Sequence, residues 1–346
     1  MGKREKASYF GFLPKSTEVV GGGEVKTKTV LKALKKSGVF EKVFTIDTSN
    51  WRKKKISLMI KLLKAMVKTR YIIVVQSTSA FLKILPLLNI LAKVLKNEIH
   101  FIPVGNCLAT NFNRKSQIRD INRIKGVYVQ SENIKDNLVK IGIDNIIVMH
   151  NFKYMKAYLT SYEFETPLNY VFLSRVSEEK GVFDCINVFD RINESFGKIV
   201  CKLDIYGKID EDIKEKFLLN IQDKSYINYC GVVKPEEASR IIQKYYMLVF
   251  PTKYIGEGFP GAIIDAFGAG VPILSSRFSN YSDMLTDGFD SVSFAFNDYE
   301  NMYEKLLYCQ ENFIKINEMR NNSHTNYLKY QPEEEIKKIL DNLGRI

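Results

Sequence analysis

The 346-residue chain has few cysteines: Cys107, Cys185, Cys201, Cys230 and Cys309, with no C-x-x-C pair among them. An odd and scattered set excludes a disulfide framework and a metal knuckle, and fits a reducing compartment. Histidine is rarer still, with three residues. His100 stands at the start of a strand and reads as structural, and His150 reads as a packed linker residue. No uninterrupted apolar run reaches the length of a membrane span. The most lipid-like stretch, residues 80–96, is broken by Lys83, Pro86 and Lys93. The segment Met1 to Lys6 is rich in charge and the apolar run after it is too short for a signal peptide. A cytoplasmic protein is therefore expected, with peripheral attachment to the inner face of the cell membrane left open. Low-complexity tracts and solenoid-length repeats are missing as well.

Basic residues, by contrast, are abundant on one side of the chain. Residues 1–165 hold 30 Lys and Arg against 12 Asp and Glu, while residues 166–346 hold 21 against 27. Such asymmetry implies a polyanionic surface or acceptor facing the first half. The chain has no nucleic-acid-binding signature and its aromatics do not interleave with the basic run, so no nucleic-acid partner is expected. The segment from Trp51 to Arg70, WRKKKISLMIKLLKAMVKTR, reads as a basic amphipathic helix. Lys54, Ser57, Lys61, Lys64 and Lys68 line one stripe, and Ile56, Met59, Ile60, Leu63 and Val67 line another. Such a helix either packs on a sheet with its lysines outward or lies on an anionic membrane surface.

The length favours two domains. Short apolar runs expected as strands (residues 8–13, 42–46, 71–76, 99–104, 126–130 and 146–150, then 170–174, 202–206, 247–250 and 271–274) alternate with helical stretches. That alternation is the mark of parallel α/β sheets. Helices are expected over residues 24–36, 51–70, up to 96, 131–141, 182–193, 211–219, 235–245, 299–312 and 333–343. The boundaries expected are 1–152 for the first domain and 168–328 for the second, with a last helix at about 330–346 returning to the first.

The chain is organised around residues 247–274, MLVFPTKYIGEGFPGAIIDAFGAGVPIL. Strand, glycine-studded loop, short helix and strand follow one another, with Pro260 in the first helical turn. The loop leads straight into a helix N-terminus, where outward N–H groups favour an anion. Gly256, Gly258 and Gly261 remove side chains that would keep a ligand away. Asp265 lies four residues after Gly261, on the same helix face. A second glycine loop, Gly21 to Gly23, precedes a helix with Lys26 and Lys28 in its first turn, a pattern equally open to a phosphate-sized guest and to a flexible surface turn. It is not a dinucleotide fingerprint, since G-x-G-x-x-G is not met. Lys180 stands at the start of another helix, where a cation needs an anion nearby. Either a ligand phosphate or Glu178 and Glu179 could supply it. The acidic triplet Asp210 to Asp212 starts a helix, where acids are favoured by the dipole, and is discounted as a metal site.

Residues 257–265, E-G-F-P-G-A-I-I-D, followed by Ala266, Gly270, Val271 and Pro272, resemble the signature of family 4 retaining glycosyltransferases (glycosyl transferases group 1), with one departure: the second acid is Asp, one methylene shorter than the family's Glu. Arg175 and the pair Lys180-Gly181 fall in the family's order too. The resemblance implies a GT-B fold, two Rossmann-like domains facing across a cleft. It also implies transfer of a sugar from a nucleotide-diphosphate sugar, a UDP-sugar above all, to a glycan or polyprenyl-linked acceptor in capsule or exopolysaccharide synthesis. By the same resemblance Arg175, Lys180 and Glu257 are catalytic, the first two gripping the diphosphate. Gly22, Gly23, Gly231, Gly258, Phe259, Pro260, Gly261, Ala262 and Asp265 bind the donor. Asn106 and Thr110 stand where the family touches the transferred sugar. No metal and no cofactor beyond the donor is expected. A nucleotide-sugar epimerase of similar architecture and a non-catalytic donor-binding partner subunit are the alternatives.

Overall fold

The computed structural model describes residues 5–14, 21–49, 51, 55–105, 107–158, 161–163 and 165–344. Asn106 and residues 52–54, including Lys54, lie outside the described residues. The chain divides into two compact units, residues 1–153 with 331–346, and residues 154–330.

The first unit is built on a parallel sheet of β1 (Glu5–Gly11), β2 (Phe40–Asp47), β3 (Tyr71–Gln76), β4 (Glu98–Pro103), β5 (Gly126–Val129) and β6 (Ile146–Val148). The strand order is β2-β1-β3-β4-β5-β6. Its helices are α1 (Gly22–Lys36), α2 (Lys55–Lys68), α3 (Thr78–Leu95), α4 (Lys115–Ile121), α5 (Glu132–Val139) and the last of the chain, α12 (Pro332–Asn342). The first five residues of β3, YIIVV, are all buried, as a strand covered on both faces requires. His100 sits inside this core with Nδ1 2.9 Å from the Tyr128 hydroxyl. Burial pushes its pKa down to about 3, so the ring stays neutral. His150 is held by Glu335 of α12, whose carboxylate accepts the His150 main-chain N–H at 2.7 Å and lies 3.0 Å from Nδ1. Both histidines are structural.

The face that α2 buries departs from expectation. The buried face of α2 is Leu62, Ala65 and Met66, so Ile56, Ile60, Leu63 and Val67 of the apolar stripe point outward. By length and composition α3 could cross a membrane. Its inner face, Phe81, Leu82, Leu85 and Leu88, belongs instead to the core of the unit.

The second unit has the same plan: β7 (Leu168–Leu173), β8 (Cys201–Tyr206), β9 (Ile227–Tyr229), β10 (Met247–Phe250), β11 (Ile273–Ser276) and β12 (Ser291–Phe294), all parallel. Their order is β12-β11-β10-β7-β8-β9. The helices are α6 (Val182–Ser195), α7 (Lys214–Ile221), α8 (Ala238–Ile242), α9 (Gly261–Ala269), α10 (Tyr299–Glu311) and α11 (Phe313–Tyr327). One core packs α6 and α10 on the sheet, and the other packs α9 and the end of α11 on the opposite face.

The helix α11 is absent from the sequence reading. Its buried set is Ile316, Met319, Arg320, Ser323, Asn326 and Tyr327, half of it polar, so the apolar period is hidden. The polar members are buried because they are satisfied. Arg320 donates to the carbonyls of Tyr245 at 3.1 Å and Gln243 at 3.2 Å, and Asn326 donates to Asp290. The helix expected over 235–245 shrinks to α8, and that expected from 211 begins at Lys214. Pro260 is the N-cap of α9, one position before the first helical turn.

Candidate functional site

In the second unit the chain runs outward from β7 through β8 to β9, then returns to place β10 on the other side of β7. The strand order reverses between β7 and β10. In open α/β sheets the crevice beyond the strands' carboxyl ends at that reversal is where ligands bind. Arg175 to Gly181 follow β7 and Lys253 to Gly261 follow β10, so the two stretches singled out in the sequence leave neighbouring strands at this point.

The two segments are locked together by backbone. Gly181 has φ +74° and caps α6, and a Cβ there would lie 2.0 Å from the Pro251 carbonyl oxygen, so only glycine fits. The Lys253 N–H donates to the Glu179 carbonyl at 2.8 Å. Gly207, at the end of β8, is equally constrained, because a Cβ would meet the Ser174 carbonyl oxygen at 1.7 Å. Its N–H donates to the Gly231 carbonyl at 2.9 Å, which places Gly231 at the same edge of the sheet.

The central contact is an ion pair between Lys180 and Glu257. Both side chains are largely buried, 14% and 10% exposed. Glu257 also accepts a hydrogen bond from the buried Thr252 hydroxyl at 2.9 Å, and the Lys180 ammonium lies 5.3 Å from the centre of the Tyr254 ring. The loop carrying Glu257 is tied from behind by Asn280, which donates to the Glu257 carbonyl at 2.7 Å. Thus Glu257, and not Glu178 or Glu179, neutralises Lys180. Glu178 instead pairs with Lys216 at 2.9 Å, and that pairing holds its carboxyl below the usual range. Glu179 pairs with Arg175 at 3.4 Å.

Arg175 is half-exposed and shared between Glu179 and Asp210, the latter at 3.5 Å. Asp210 therefore has a role the sequence did not signal: the first acid of the discounted triplet steadies Arg175. Among the described residues no group of three or more His, Cys, Asp or Glu gathers as metal ligands would.

The N-terminus of α9 opens the site. Pro260 at its N-cap offers the first N–H groups no side-chain hydrogen bond. Gly261 and Ala262 are half-buried, whereas every residue from Ile263 to Gly270 is buried. Gly258 is half-buried too, while Phe259 turns into the core against Tyr330, with ring centres 5.2 Å apart. Asp265 is 1% exposed, one turn below Gly261. Thr252, Tyr254 and Asn280, which position the ion pair, went unnoticed in the sequence because none falls in a recognisable spacing.

In the first unit Gly22 and Gly23 open α1, which follows β1 beside the reversal between β1 and β3. A Cβ on Gly23 would meet Val104 at 2.5 Å. The two lysines of that pattern have local partners. Lys26 is buried on the second turn and donates to the Pro103 carbonyl at 2.8 Å, and burial lowers its pKa to about 7. Lys28 pairs with Glu24.

No curated protein matches the chain by sequence. Residues 167–312 match the family model of Glycosyl transferases group 1. Among solved structures the chain is similar to Anabaena HepE (Alr3699), crystallised with UDP and glucose, with TM-score 0.74, 12% identity and coverage of 99% of this chain and 100% of that one. It is similar to the lipopolysaccharide outer core galactosyltransferase WaaB, with TM-score 0.71, 16% identity and coverage of 98% and 99%. The pneumococcal O-GlcNAc transferase GtfA, in complex with UDP and GlcNAc, matches with TM-score 0.66 and 14% identity over 84% of this chain and 60% of that one. The chain thus has the two-domain α/β GT-B fold of glycosyltransferases, and its second unit carries the glycosyl transferases group 1 pattern.

Proposed function

We propose that the protein is a retaining glycosyltransferase of family 4 that moves a hexose from a UDP-sugar to a glycan or polyprenyl-linked acceptor in cell-surface polysaccharide synthesis. The observation that carries this reading is the meeting of Lys180, Glu257 and the open N-terminus of α9 at the strand-order reversal of the second unit. The UDP held by HepE and GtfA supports the choice of donor.

As the bond between sugar and diphosphate breaks, negative charge grows on the leaving oxygen. Lys180, Arg175 and the N–H groups at Gly261 and Ala262 are set in place beforehand to stabilise it, without a metal ion. A leaving phosphate oxygen can take the proton of the attacking hydroxyl on the same face, so no side-chain nucleophile is needed. Glu257 aims Lys180 and orients sugar hydroxyls. Asp265, below the bare Gly261, serves the ribose, and Gly231, Gly258, Phe259 and Pro260 shape the donor site through their backbone.

The test is a thermal-shift titration with UDP and UDP-sugars, followed by a sugar-release assay with and without acceptor. Bound donor raises the melting temperature by mass action. Arg175→Ala and Lys180→Ala should each lower turnover by roughly two orders of magnitude, the loss that follows removal of one oxyanion donor. Wild-type rates in both variants would remove the mechanism, and an altered sugar formed without acceptor would make the protein an epimerase.

A further inference from the structure

Two helices of the first unit carry apolar side chains on faces that the other described residues leave exposed. On α2, Ile56, Ile60, Leu63 and Val67 recur at helical spacing away from the buried face, and Ile56 is 80% and Val67 71% exposed. On α3, Ile84, Leu87, Ile90 and Val94 do the same, with Ile90 at 63% and Val94 at 74%. The helices touch one another. In the strand order β2-β1-β3-β4, right-handed crossovers place both on one face of the sheet. Surface apolar residues that stand singly need no explanation. Eight of them in two stripes on adjoining helices do.

The charge around these stripes decides what covers them. From Thr48 to Asn97 the sequence contains no Asp or Glu, against eleven Lys and Arg. Lys61, Lys64 and Lys68 on α2 and Lys83 and Lys93 on α3 are all exposed. A second copy of this chain would bring the same excess of positive charge against it, and like charges facing each other across an interface oppose association. An anionic bilayer meets both requirements. Hydrocarbon accepts the apolar stripes, and lysine stems lie along them with the ammonium groups at the phosphates. Trp51, 44% exposed just before α2, is the kind of side chain that favours the interfacial layer.

We propose that α2 and α3 together form a docking face that lies in the headgroup plane of an anionic membrane. The sequence pointed to the segment from Trp51 to Arg70 alone. The structure adds α3 as an equal partner and turns the apolar stripe of α2 outward. This inference stands apart from the proposed glycosyl transfer, since no residue of the second unit enters it.

The experiment uses the full chain with sedimented vesicles of phosphatidylcholine containing phosphatidylglycerol, and of phosphatidylcholine alone. Because the chain has one tryptophan, its emission reports the same event, shifting to shorter wavelength on insertion. Binding to the anionic vesicles at low salt is expected. The set Lys61→Gln, Lys64→Gln and Lys68→Gln should weaken it on the order of 100-fold, at about fivefold per lysine lost from an anionic surface. The set Ile56→Ser, Val67→Ser, Ile90→Ser and Val94→Ser should weaken it by at least about tenfold at constant charge. All these side chains are exposed, so unchanged melting curves confirm that the variants fold. The proposal is overturned by absence of binding at low salt, or by binding that ignores the apolar set. A dimer in light scattering that the apolar set dissolves would equally overturn it and make the face a contact between copies.

Discussion

Lys180 and Glu257 lie 77 positions apart, and their pairing governs what either substitution does. Removing the lysine leaves the Glu257 side chain, 10% exposed, with the Thr252 hydroxyl as its partner. Breaking a buried pair from one side costs about 3–5 kcal/mol, mainly because the remaining charge is stranded. Lys180→Ala should therefore be less stable than the double variant Lys180→Ala with Glu257→Gln, in which no charge is stranded. Denaturant midpoints of the four proteins give the answer, and additive losses would mean that the pair does not form in solution. Glu257→Gln should retain UDP affinity yet transfer sugar more slowly. His100 makes a separate prediction at this scale. Its folded pKa, about 3, lies below the ordinary value near 6.5, so the unfolded chain takes up the proton first. Its contribution is complete above pH 6.5 and is lost as the pH falls toward 3. At pH 5 the loss is roughly 2 kcal/mol, and a His100→Gln variant should show a correspondingly flatter fall in stability between pH 6.5 and 5.

The turn between β7 and α6 is the element on which the site depends, and two glycines separate its geometry from mere flexibility. Gly181 and Gly231 both have positive φ, +74° and +78°, but only Gly181 has backbone where a Cβ would go. Gly231→Ala should cost about 1 kcal/mol, the penalty for a left-handed alanine. Gly181→Ala must also push Pro251 away, and should cost more than twice that and abolish donor binding. Equal losses in unfolding assays would show that the turn and the end of β10 do not touch. The sequence made this element legible because Arg175, Lys180 and Gly181 stand at fixed intervals after an apolar strand. In the same way β3 and β10 were read to the residue, since an uninterrupted apolar run between turn signals leaves little choice. Where the reading failed, burial and apolarity had parted. The buried helix α11 contains Arg320, Ser323 and Asn326, and the outward stripe of α2 consists of Ile, Leu and Val. The Lys180–Glu257 pair was hidden for another reason, because only the order of the strands brings residues 180 and 257 to adjoining loops.

At the scale of the whole molecule, the last helix of the chain serves the first unit. The buried face of α12 presents Ile336, Ile339 and Leu340, and Glu335, 2% exposed, holds His150 and Lys338. Neither core of the second unit includes a residue beyond Tyr330. A chain ending at Tyr330 should therefore lose stability in one unit only. Three apolar side chains at roughly 1.5–3 kcal/mol each are a large part of the 5–15 kcal/mol that holds a domain together. Scanning calorimetry of the truncated chain should show one transition lowered by on the order of 10 °C or lost, and the other unmoved. UDP, if it binds the second unit as proposed, should still raise the unmoved transition. Equal displacement of both transitions would mean that the two units melt as one body, and that α12 stabilises the second through the first.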